Sequence, residues 1–151
     1  MTSTSAVRTA EEAVACATES GLPLIYLNMV GGQDELVFEG RSFVLSADGT
    51  LAGRAVSFDE ALFDCSFTRQ SHGWDIASST DRDHSQEADL WHALVLGVLD
   101  YLGKNGFPGA LLGLSGGIDS ALVLAIAVDA LGKDRVRTVM MPSPYTADIS
   151  W

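Results

Sequence analysis

Hydrophobic and polar positions divide the first half of the chain into one helical segment and several short strands. Residues 10–19 begin with capping-box spacing and carry small apolar side chains, so we predict a helix that ends before a glycine. The mostly apolar run at residues 22–28 predicts a buried strand. Asp48 and Gly49 separate two alternating runs, which is a strong hairpin signal. We therefore expect a helix followed by antiparallel strands.

A polar stretch separates this region from a long amphipathic helix. Residues 68–86 are rich in serine and aspartate and lack apolar periodicity, which indicates a linker or a long exposed connection. Asp83, with Gln86 three residues later, is positioned to cap the helix that follows and stops at Asn105. We expect the apolar stripe of this helix to face a core. The stripe consists of Leu90, Leu94, Val98 and Tyr101.

The pattern beyond residue 109 alternates between strand and helix. Residues 110–115 and 136–141 predict strands, and residues 120–131 predict a helix closed by Gly132. Such a βαβ unit has parallel strands joined by a right-handed crossover. The helix is apolar on almost every face, so we expect it to be covered on both sides within a larger α/β domain, of which only the start is present.

The 151 residues carry a formal net charge of −11 at pH 7. This charge argues against nucleic acid and against acidic membrane surfaces as partners. The N-terminal residues lack the apolar core of a signal peptide, and no apolar run approaches the roughly 18 residues of a membrane span. Cys16 and Cys65 show no metal-binding or redox spacing. We therefore predict a folded protein of the reducing cytoplasm.

The sequence SGGIDS, residues 115–120, stands between the first parallel strand and its helix. In open parallel sheets, ligands bind beyond the carboxyl ends of the strands, where loops lead into helix N-termini. The unpaired N–H groups and the positive end of the helix dipole favour an anion there. Gly116 and Gly117 let a phosphate approach the backbone, and Ser115 and Ser120 add hydroxyl donors. The loop therefore has the composition of a phosphate-binding site.

Asp119 is the unusual member of this loop, because a carboxylate repels a bound phosphate unless a cation lies between them. We therefore predict that Asp119 ligates a Mg²⁺ ion that bridges to the phosphates. Neither GxGxxG nor GxxxxGK[ST] occurs in the chain, which excludes the dinucleotide fingerprint and the Walker A lysine. The alternative is a plain capping role for Ser115 or Asp119, with the two glycines serving only tight packing.

The SGGIDS loop resembles the pyrophosphate loop of the N-type ATP pyrophosphatases, which split ATP between its α and β phosphates and form an adenylate. Residues 94–150 resemble, almost continuously, the synthetase domain of glutamine-dependent NAD synthetases. The run at residues 21–51 resembles the late part of the nitrilase-like glutaminase domain that precedes it in that family. GMP and asparagine synthetases carry differently folded glutaminases, so the two matches together favour the NAD synthetases.

This resemblance implies an α/β protein. It combines the C-terminal part of a nitrilase-like α/β sandwich with the first βαβ unit of a Rossmann-like, parallel-sheet domain of the adenine-nucleotide α-hydrolase type. Residues 1–67 would belong to the glutaminase domain, residues 68–86 to a linker and residues 87–151 to the synthetase domain. We expect the sequence to be a piece of a longer protein and to be inactive alone.

The implied family reaction uses ATP and Mg²⁺ to adenylate the nicotinate carboxylate of deamido-NAD, after which ammonia from glutamine displaces AMP to give NAD. The resemblance also implies a homo-oligomer, with Asp119 as the magnesium ligand. The residues it assigns to ATP are Gly113, Leu114, Ser115, Gly116, Gly117, Ile118, Asp119 and Ser120. Two alternatives stay open: another N-type ATP pyrophosphatase with a different acceptor, or a non-catalytic nucleotide-binding module.

The resemblance assigns no catalytic glutaminase residue in this sequence. The Cys-Glu-Asp stretch of the family is absent, and Cys16 and Cys65 do not match its nucleophile, so we predict packing roles for both. The turn at residues 31–35 is either a glutamine site or, as we favour, a hairpin turn with solvated charges. Residues 141–146 either line the nucleotide site or form an ordinary strand-exit turn. We predict that Trp91 packs and that the three histidines are solvated or capping.

Overall fold

The structure, a computed structural model, describes residues 4–140. It divides into two compact units. The first contains the described residues up to Val30 together with Phe38–Asp83, and the second contains Gly31–Val37 together with the described residues from His84 onward. A 3₁₀ turn at Lys133–Arg135 precedes the last strand. The helices and strands in chain order are α1 (Thr4–Ser20), β1 (Leu24–Tyr26), β2 (Val30–Gln33), β3 (Leu36–Glu39), β4 (Phe43–Leu45), β5 (Leu51–Arg54), β6 (Cys65–Gln70), β7 (Gly73–Ser78), α2 (Gln86–Lys104), β8 (Ala110–Leu114), α3 (Ile118–Leu131) and β9 (Val136–Met140).

In the first unit, helix α1 packs on a three-stranded antiparallel sheet with the order β1, β4, β5. Two alanines four residues apart share one face of α1, and their small side chains let the helix lie close to the sheet. The predicted helix is confirmed, although it begins at Thr4, before the predicted start. The core of this unit consists of Ala13, Ala17 and Leu45, with Leu24 and Phe43 partly buried against it.

Within residues 4–140, strand β1 is the edge of this sheet and pairs only with β4. It covers Leu24–Tyr26, which is only part of the predicted strand at residues 22–28. Leu22, Ile25 and Leu27 are 54%, 59% and 83% exposed. The prediction of a buried strand is therefore wrong for most of this segment.

The hairpin between β4 and β5 forms where the sequence predicts it. The Ser46 N–H donates to the Thr50 carbonyl over 2.8 Å, and Gly49 has a φ of +83°. The Asp48 carboxylate accepts hydrogen bonds from the Thr50 hydroxyl at 2.7 Å and from the Thr50 N–H at 3.0 Å. These bonds, the hydroxyl bond most strongly, lower the pKa of Asp48. Asp48 therefore stabilises the turn in its ionised form.

The predicted linker at residues 68–86 is wrong over its first half. Strands β6 and β7 form an antiparallel hairpin there, in which Phe67 pairs with Ile76. The guanidinium of Arg69 lies 5.8 Å from the centre of the Trp74 ring, on the neighbouring strand. Most side chains of this hairpin are exposed, so it lacks the apolar periodicity by which a strand is predicted. Cross-strand pairs stabilise it instead.

Strands β2 and β3 form a two-stranded hairpin, of which Gly31–Val37 belongs to the second unit. The turn lies at Asp34 and Glu35, and Asp34 has a φ of +52°. Gly31 and Gly32 lie inside strand β2 and not in the turn. The expected hairpin at residues 31–35 is confirmed, but its two glycines serve another purpose than turn formation.

Helix α2 begins after Ser85, whose hydroxyl accepts a hydrogen bond from the Ala88 N–H over 3.2 Å. The prediction that Asp83 caps this helix is wrong, because the Asp83 carboxylate pairs with Arg54 instead. Serine at this position satisfies one of the N–H groups that a helix start leaves without a partner.

The predicted apolar stripe of α2 does not face a core within the described residues. Leu90, Leu94 and Tyr101 are 61%, 43% and 54% exposed, and α2 buries no side chain completely. Trp91 of α2 contacts α3 directly: its indole N–H donates a hydrogen bond to the Asp129 carboxylate over 3.0 Å. This bond ties α2 to α3. Neither these helices nor any other within residues 4–140 is long and apolar enough to cross a membrane.

Strands β8 and β9 are parallel and are connected through α3, which confirms the predicted βαβ unit. The C-terminal half of α3 is its buried half, whereas Ile118 and Leu122 near its start are exposed. Gly132 closes the helix with a φ of +77°, and its N–H donates to the Val128 carbonyl over 2.8 Å. The described residues thus form an α/β fold with antiparallel and parallel strands.

Candidate functional site

The SGGIDS loop connects the carboxyl end of β8 to the N-terminus of α3. Ser115 follows the last residue of β8 directly, and α3 begins at Ile118. Residues 115–119 are exposed, and Ser120 is half-buried. The strand, the turn and the helix therefore occur in the predicted order, and the loop lies where parallel sheets bind their ligands.

The Ser120 hydroxyl holds the two ends of the loop together. It donates to the Gly117 carbonyl over 2.9 Å and accepts a hydrogen bond from the Ser115 N–H over 3.4 Å. The Ser115 and Ser120 hydroxyl oxygens are 3.2 Å apart, and the Gly117 N–H donates to the Ser115 hydroxyl over 3.4 Å. We call these four contacts the serine brace. They link the carboxyl end of β8 to the first turn of α3.

Helix α3 begins without a side-chain cap, because its N-cap residue is Gly117. Neither Ser115 nor Asp119 is the N-cap residue, although the Ser115 hydroxyl accepts a hydrogen bond from the Gly117 N–H just before the helix. Gly116 has a φ of +79°, a backbone conformation that favours glycine. The first N–H groups of a helix have no partner within it, and an uncapped start presents them to solvent or to an anion.

Asp119 lies in the first turn of α3 and is exposed. Among residues 4–140, no group of three or more His, Cys, Asp or Glu side chains is arranged to hold a metal ion. Mg²⁺ is commonly bound by one or two carboxylates together with phosphate oxygens and water. The donor set of this loop, one exposed carboxylate in the first turn of a helix whose N-cap is glycine, fits magnesium that arrives with a nucleotide.

Gly113 and Leu114 belong to β8 and not to the loop itself. They pair with Val139 and Met140 of β9. Their position fixes the strand end from which the loop starts. Residues 141–146, the other predicted contributors to a nucleotide site, lie outside the described residues.

The cysteines and histidines take no part in this loop. Cys16 is exposed, so the prediction that it packs in a core is wrong, whereas Cys65 is half-buried. Burial raises the pKa of the Cys65 thiol, and the negative charge of Asp64 raises it further. Among the histidines, the His84 ring lies 3.3 Å from the Asp89 carboxylate near the start of α2.

Comparisons with known proteins agree with the resemblance. A family model described as NAD synthase matches residues 90–150. The glutamine-dependent NAD(+) synthetase of Synechocystis sp. is 50% identical over 137 residues, covering 89% of this chain and 24% of that protein. The protein of the same name from Aquifex aeolicus is 37% identical over 156 residues, covering 83% of this chain and 28% of that protein. The chain belongs to the glutamine-dependent NAD(+) synthetase family.

Solved structures of this family have the same fold. A glutamine-dependent NAD+ synthetase from Acinetobacter baumannii, in complex with adenosine diphosphate, is 43% identical with a TM-score of 0.86, covering 95% of this chain and 27% of that chain. A family member from Cytophaga hutchinsonii shares the fold with a TM-score of 0.70 at 16% identity, covering 98% of this chain and 30% of that chain. The present chain thus spans about a quarter of the length of these synthetases.

One polar cluster of this chain was not predicted. The Asp100 carboxylate accepts a hydrogen bond from the Gly32 N–H over 2.7 Å, and the Lys104 ammonium donates to the Gly32 carbonyl over 2.6 Å. Asp100 and Lys104 are four residues apart on the predicted helix, which is a recognisable pairing signal. Their contact with Gly32 joins residues far apart in the sequence, so periodicity gives no sign of it.

Proposed function

We propose that this chain forms the ATP-binding part of a glutamine-dependent NAD(+) synthetase and works within a longer protein. The reaction is the ATP-dependent amidation of deamido-NAD to NAD with ammonia derived from glutamine. The observation that carries the proposal is the serine brace at an uncapped helix start, in a chain 50% identical to a named glutamine-dependent NAD(+) synthetase. The solved relative in complex with adenosine diphosphate supports an adenine nucleotide as the ligand.

In this proposal, the backbone N–H groups at the start of α3 bind the ATP phosphates. Ser115 contributes its hydroxyl, while Ser120 keeps the loop in shape through its bond to the Gly117 carbonyl. Asp119 would hold Mg²⁺, and the ion would supply positive charge that stabilises the pyrophosphate leaving group. The proposed ATP-binding residues are Gly113, Leu114, Ser115, Gly116, Gly117, Ile118, Asp119 and Ser120.

Two bond exchanges complete the reaction. The nicotinate carboxylate of deamido-NAD attacks the α phosphorus of ATP, and pyrophosphate leaves. Ammonia then attacks the activated carbonyl carbon, and AMP leaves with the electron pair of the broken C–O bond, while the ammonia nitrogen loses a proton. Adenylation is needed because a carboxylate oxygen is a poor leaving group, whereas AMP is a good one. Exclusion of water protects the adenylate from hydrolysis and ammonia from loss to solvent.

The finer fold assignment is part of the proposal. Residues 1–67 contain the end of a nitrilase-like glutaminase domain, and residues 87–151 begin a Rossmann-like synthetase domain. Of the expected linker, only the part that follows β7 stays in the proposal as the connection between them. The parallel pairing of β8 with β9 through α3 supports the assignment of the synthetase domain. A homo-oligomeric protein of the cytoplasm completes the proposal.

The test uses the full-length protein that carries these residues. With ATP, Mg²⁺, deamido-NAD and glutamine, we expect NAD, AMP and pyrophosphate in equal amounts. Asp119→Ala should abolish ATP-dependent adenylation and leave glutamine hydrolysis measurable. Asp134→Ala is the matched control, because it removes another exposed carboxylate of the same unit, in the turn that follows α3.

The outcomes separate the alternatives. If the intact protein releases pyrophosphate only with an acceptor other than deamido-NAD, it is a different ATP pyrophosphatase. If it binds ATP without releasing pyrophosphate with any acceptor, it is a nucleotide-binding module. Unchanged NAD synthesis by Asp119→Ala would refute the role of this carboxylate.

A further inference from the structure

The two glycines of strand β2 contact helix α2 through the backbone of Gly32. Asp100 binds the Gly32 N–H at 2.7 Å, Lys104 binds the Gly32 carbonyl at 2.6 Å, and the Lys104 ammonium lies 2.9 Å from the Asp100 carboxylate. Three groups therefore form a closed ring of charge-assisted hydrogen bonds. We call Gly32, Asp100 and Lys104 the clasp.

The clasp explains why glycine occupies this part of the strand. A side chain on Gly32 would place its Cβ 3.2 Å from the Gly97 Cα and 3.3 Å from the Asp100 Cβ, closer than side chains normally pack. A Cβ on Gly31 would lie 3.0 Å from the Asp100 carboxylate, and Gly31 has a φ of +134°. Glycine within a strand often marks the close approach of another backbone, which here is the backbone of α2.

The charges of the clasp also favour its hydrogen bonds. Asp100 and Lys104 stand at the (i, i+4) spacing that supports ion pairs on a helix, and the Asp100 side chain is only 22% exposed. The hydrogen bond from Lys104 lowers the pKa of Asp100, and the bond from the Gly32 N–H contributes in the same direction. Asp100 is therefore ionised at neutral pH, as the ring requires.

The position of the hairpin in the sequence suggests that the clasp has a role in function as well as in stability. Gly31–Val37 lies inside the run at residues 21–51 that resembles the glutaminase domain, yet it is part of the second unit. Both ends of this segment continue directly into chain that belongs to the first unit, through Val30 and Phe38. A segment of glutaminase-like sequence is thus fastened to the helix that leads into the ATP-binding loop region.

We propose that Asp100 and Lys104 are positioning residues: by fastening the Gly31–Val37 hairpin to α2, they make NAD synthesis possible with glutamine but are not needed for synthesis with free ammonia. The inference rests on the proposed function. With the clasp open, the SGGIDS loop keeps its serine brace, so free ammonia is still used. Ammonia released from glutamine has to reach the adenylate before it is protonated or lost to solvent.

The first experiment asks whether the clasp exists in solution. Hydrogen–deuterium exchange of the full-length protein is followed by mass spectrometry on a peptide that contains Gly32. Asp100→Asn should speed exchange there by at least about 10-fold, the factor expected for one charge-assisted hydrogen bond. Glu87→Gln, which removes a charge from an exposed side chain of the same helix, should leave it unchanged. Equal exchange in Asp100→Asn and the unmodified protein would overturn the clasp.

The second experiment measures NAD formation with saturating glutamine and, separately, with ammonium chloride at a pH where free ammonia is abundant. Asp100→Asn and Lys104→Met should each lose at least about 10-fold of the glutamine-dependent rate and stay within about 2-fold of the ammonia-dependent rate. The double variant should lose no more than either single variant, since one ring is broken in all three.

The remaining outcomes decide against the inference in distinguishable ways. If both rates fall equally, the clasp only supports α2, and the positioning role is wrong. If neither rate falls, the clasp has no part in the reaction. If the unmodified protein forms no NAD from either nitrogen source, the proposed function fails and the positioning role fails with it, while the exchange result still tests the clasp.

Discussion

Replacing Gly32 with alanine should loosen the hairpin from α2, whereas the same replacement at Gly103 should tighten the helix. The added Cβ at Gly32 would meet the Gly97 Cα at 3.2 Å, the Asp100 Cβ at 3.3 Å and the Leu96 carbonyl oxygen at 3.4 Å. Two of these three are backbone atoms, which cannot rotate away. The hairpin itself must therefore move by a few tenths of an ångström. This movement also lengthens the hydrogen bonds from Gly32 to Asp100 and Lys104.

The size of the effect follows from two opposing contributions. Overpacking of this kind costs about 1–3 kcal/mol. Alanine recovers about 0.5–1 kcal/mol, because it loses less backbone freedom on folding than glycine does. We therefore expect Gly32→Ala to destabilise the hairpin contact by about 1–2 kcal/mol. Gly103 lies inside α2, and a Cβ added there would have no other atom within 4 Å, so Gly103→Ala should stabilise the helix. That gain is about 0.5–1 kcal/mol.

The assay is hydrogen exchange of peptides from β2 and α2 in both variants. The expected difference of about 1.5–3 kcal/mol between them corresponds to roughly 10-fold or more in the population of the open state. Exchange should be faster than in the unmodified protein for Gly32→Ala and slower for Gly103→Ala. If Gly32→Ala exchanges as slowly as the unmodified protein, the close approach between strand and helix does not exist, and the explanation of the two glycines is wrong.

Three further predictions concern single side chains. Ser85→Ala should destabilise α2 by about 1 kcal/mol, because the helix loses its N-cap bond. Thermal unfolding followed by circular dichroism would detect this loss. Asp83→Ala should leave the stability of α2 unchanged, because Asp83 makes no N-cap bond to that helix. Because the pKa of Asp100 is lowered in the folded protein, its contribution to stability is present above the ordinary aspartate pKa of about 4 and is lost as the pH falls through the lower folded value; Asp100→Asn should flatten this part of the stability profile. Iodoacetamide should label the exposed Cys16 faster than Cys65, whose pKa is raised by burial. Mass spectrometry of the two peptides measures both labelling rates, and faster labelling of Cys65 would contradict this prediction.

The βαβ unit could be predicted from the sequence because its signals are local and strong. A continuous apolar run, a glycine-rich break and a long apolar helix closed by Gly132 define β8, the loop and α3. The same reasoning finds the phosphate-binding composition of the loop. It does not find the serine brace, since two serines near a helix start can equally be caps.

Other elements depend on contacts that periodicity does not contain. The β6–β7 hairpin has exposed polar side chains at most positions, so its strands resemble a linker in sequence. Asp83 and Ser85 are both good capping residues, and only the pairing of Asp83 with Arg54 decides between them. Gly32 and Asp100 are 68 positions apart, so the clasp follows from the fold and not from any local pattern.

Because the serine brace joins the two ends of the SGGIDS loop, the proposed binding of phosphates there should cost less free energy for ordering the chain than binding to a loop without such bonds. Association should then be limited by diffusion and long-range charge rather than by rearrangement of the loop. These 151 residues carry a net charge of −11, which repels an incoming polyphosphate at a distance. Added salt screens this repulsion, so the contribution of these residues to nucleotide capture should become less unfavourable at moderate ionic strength.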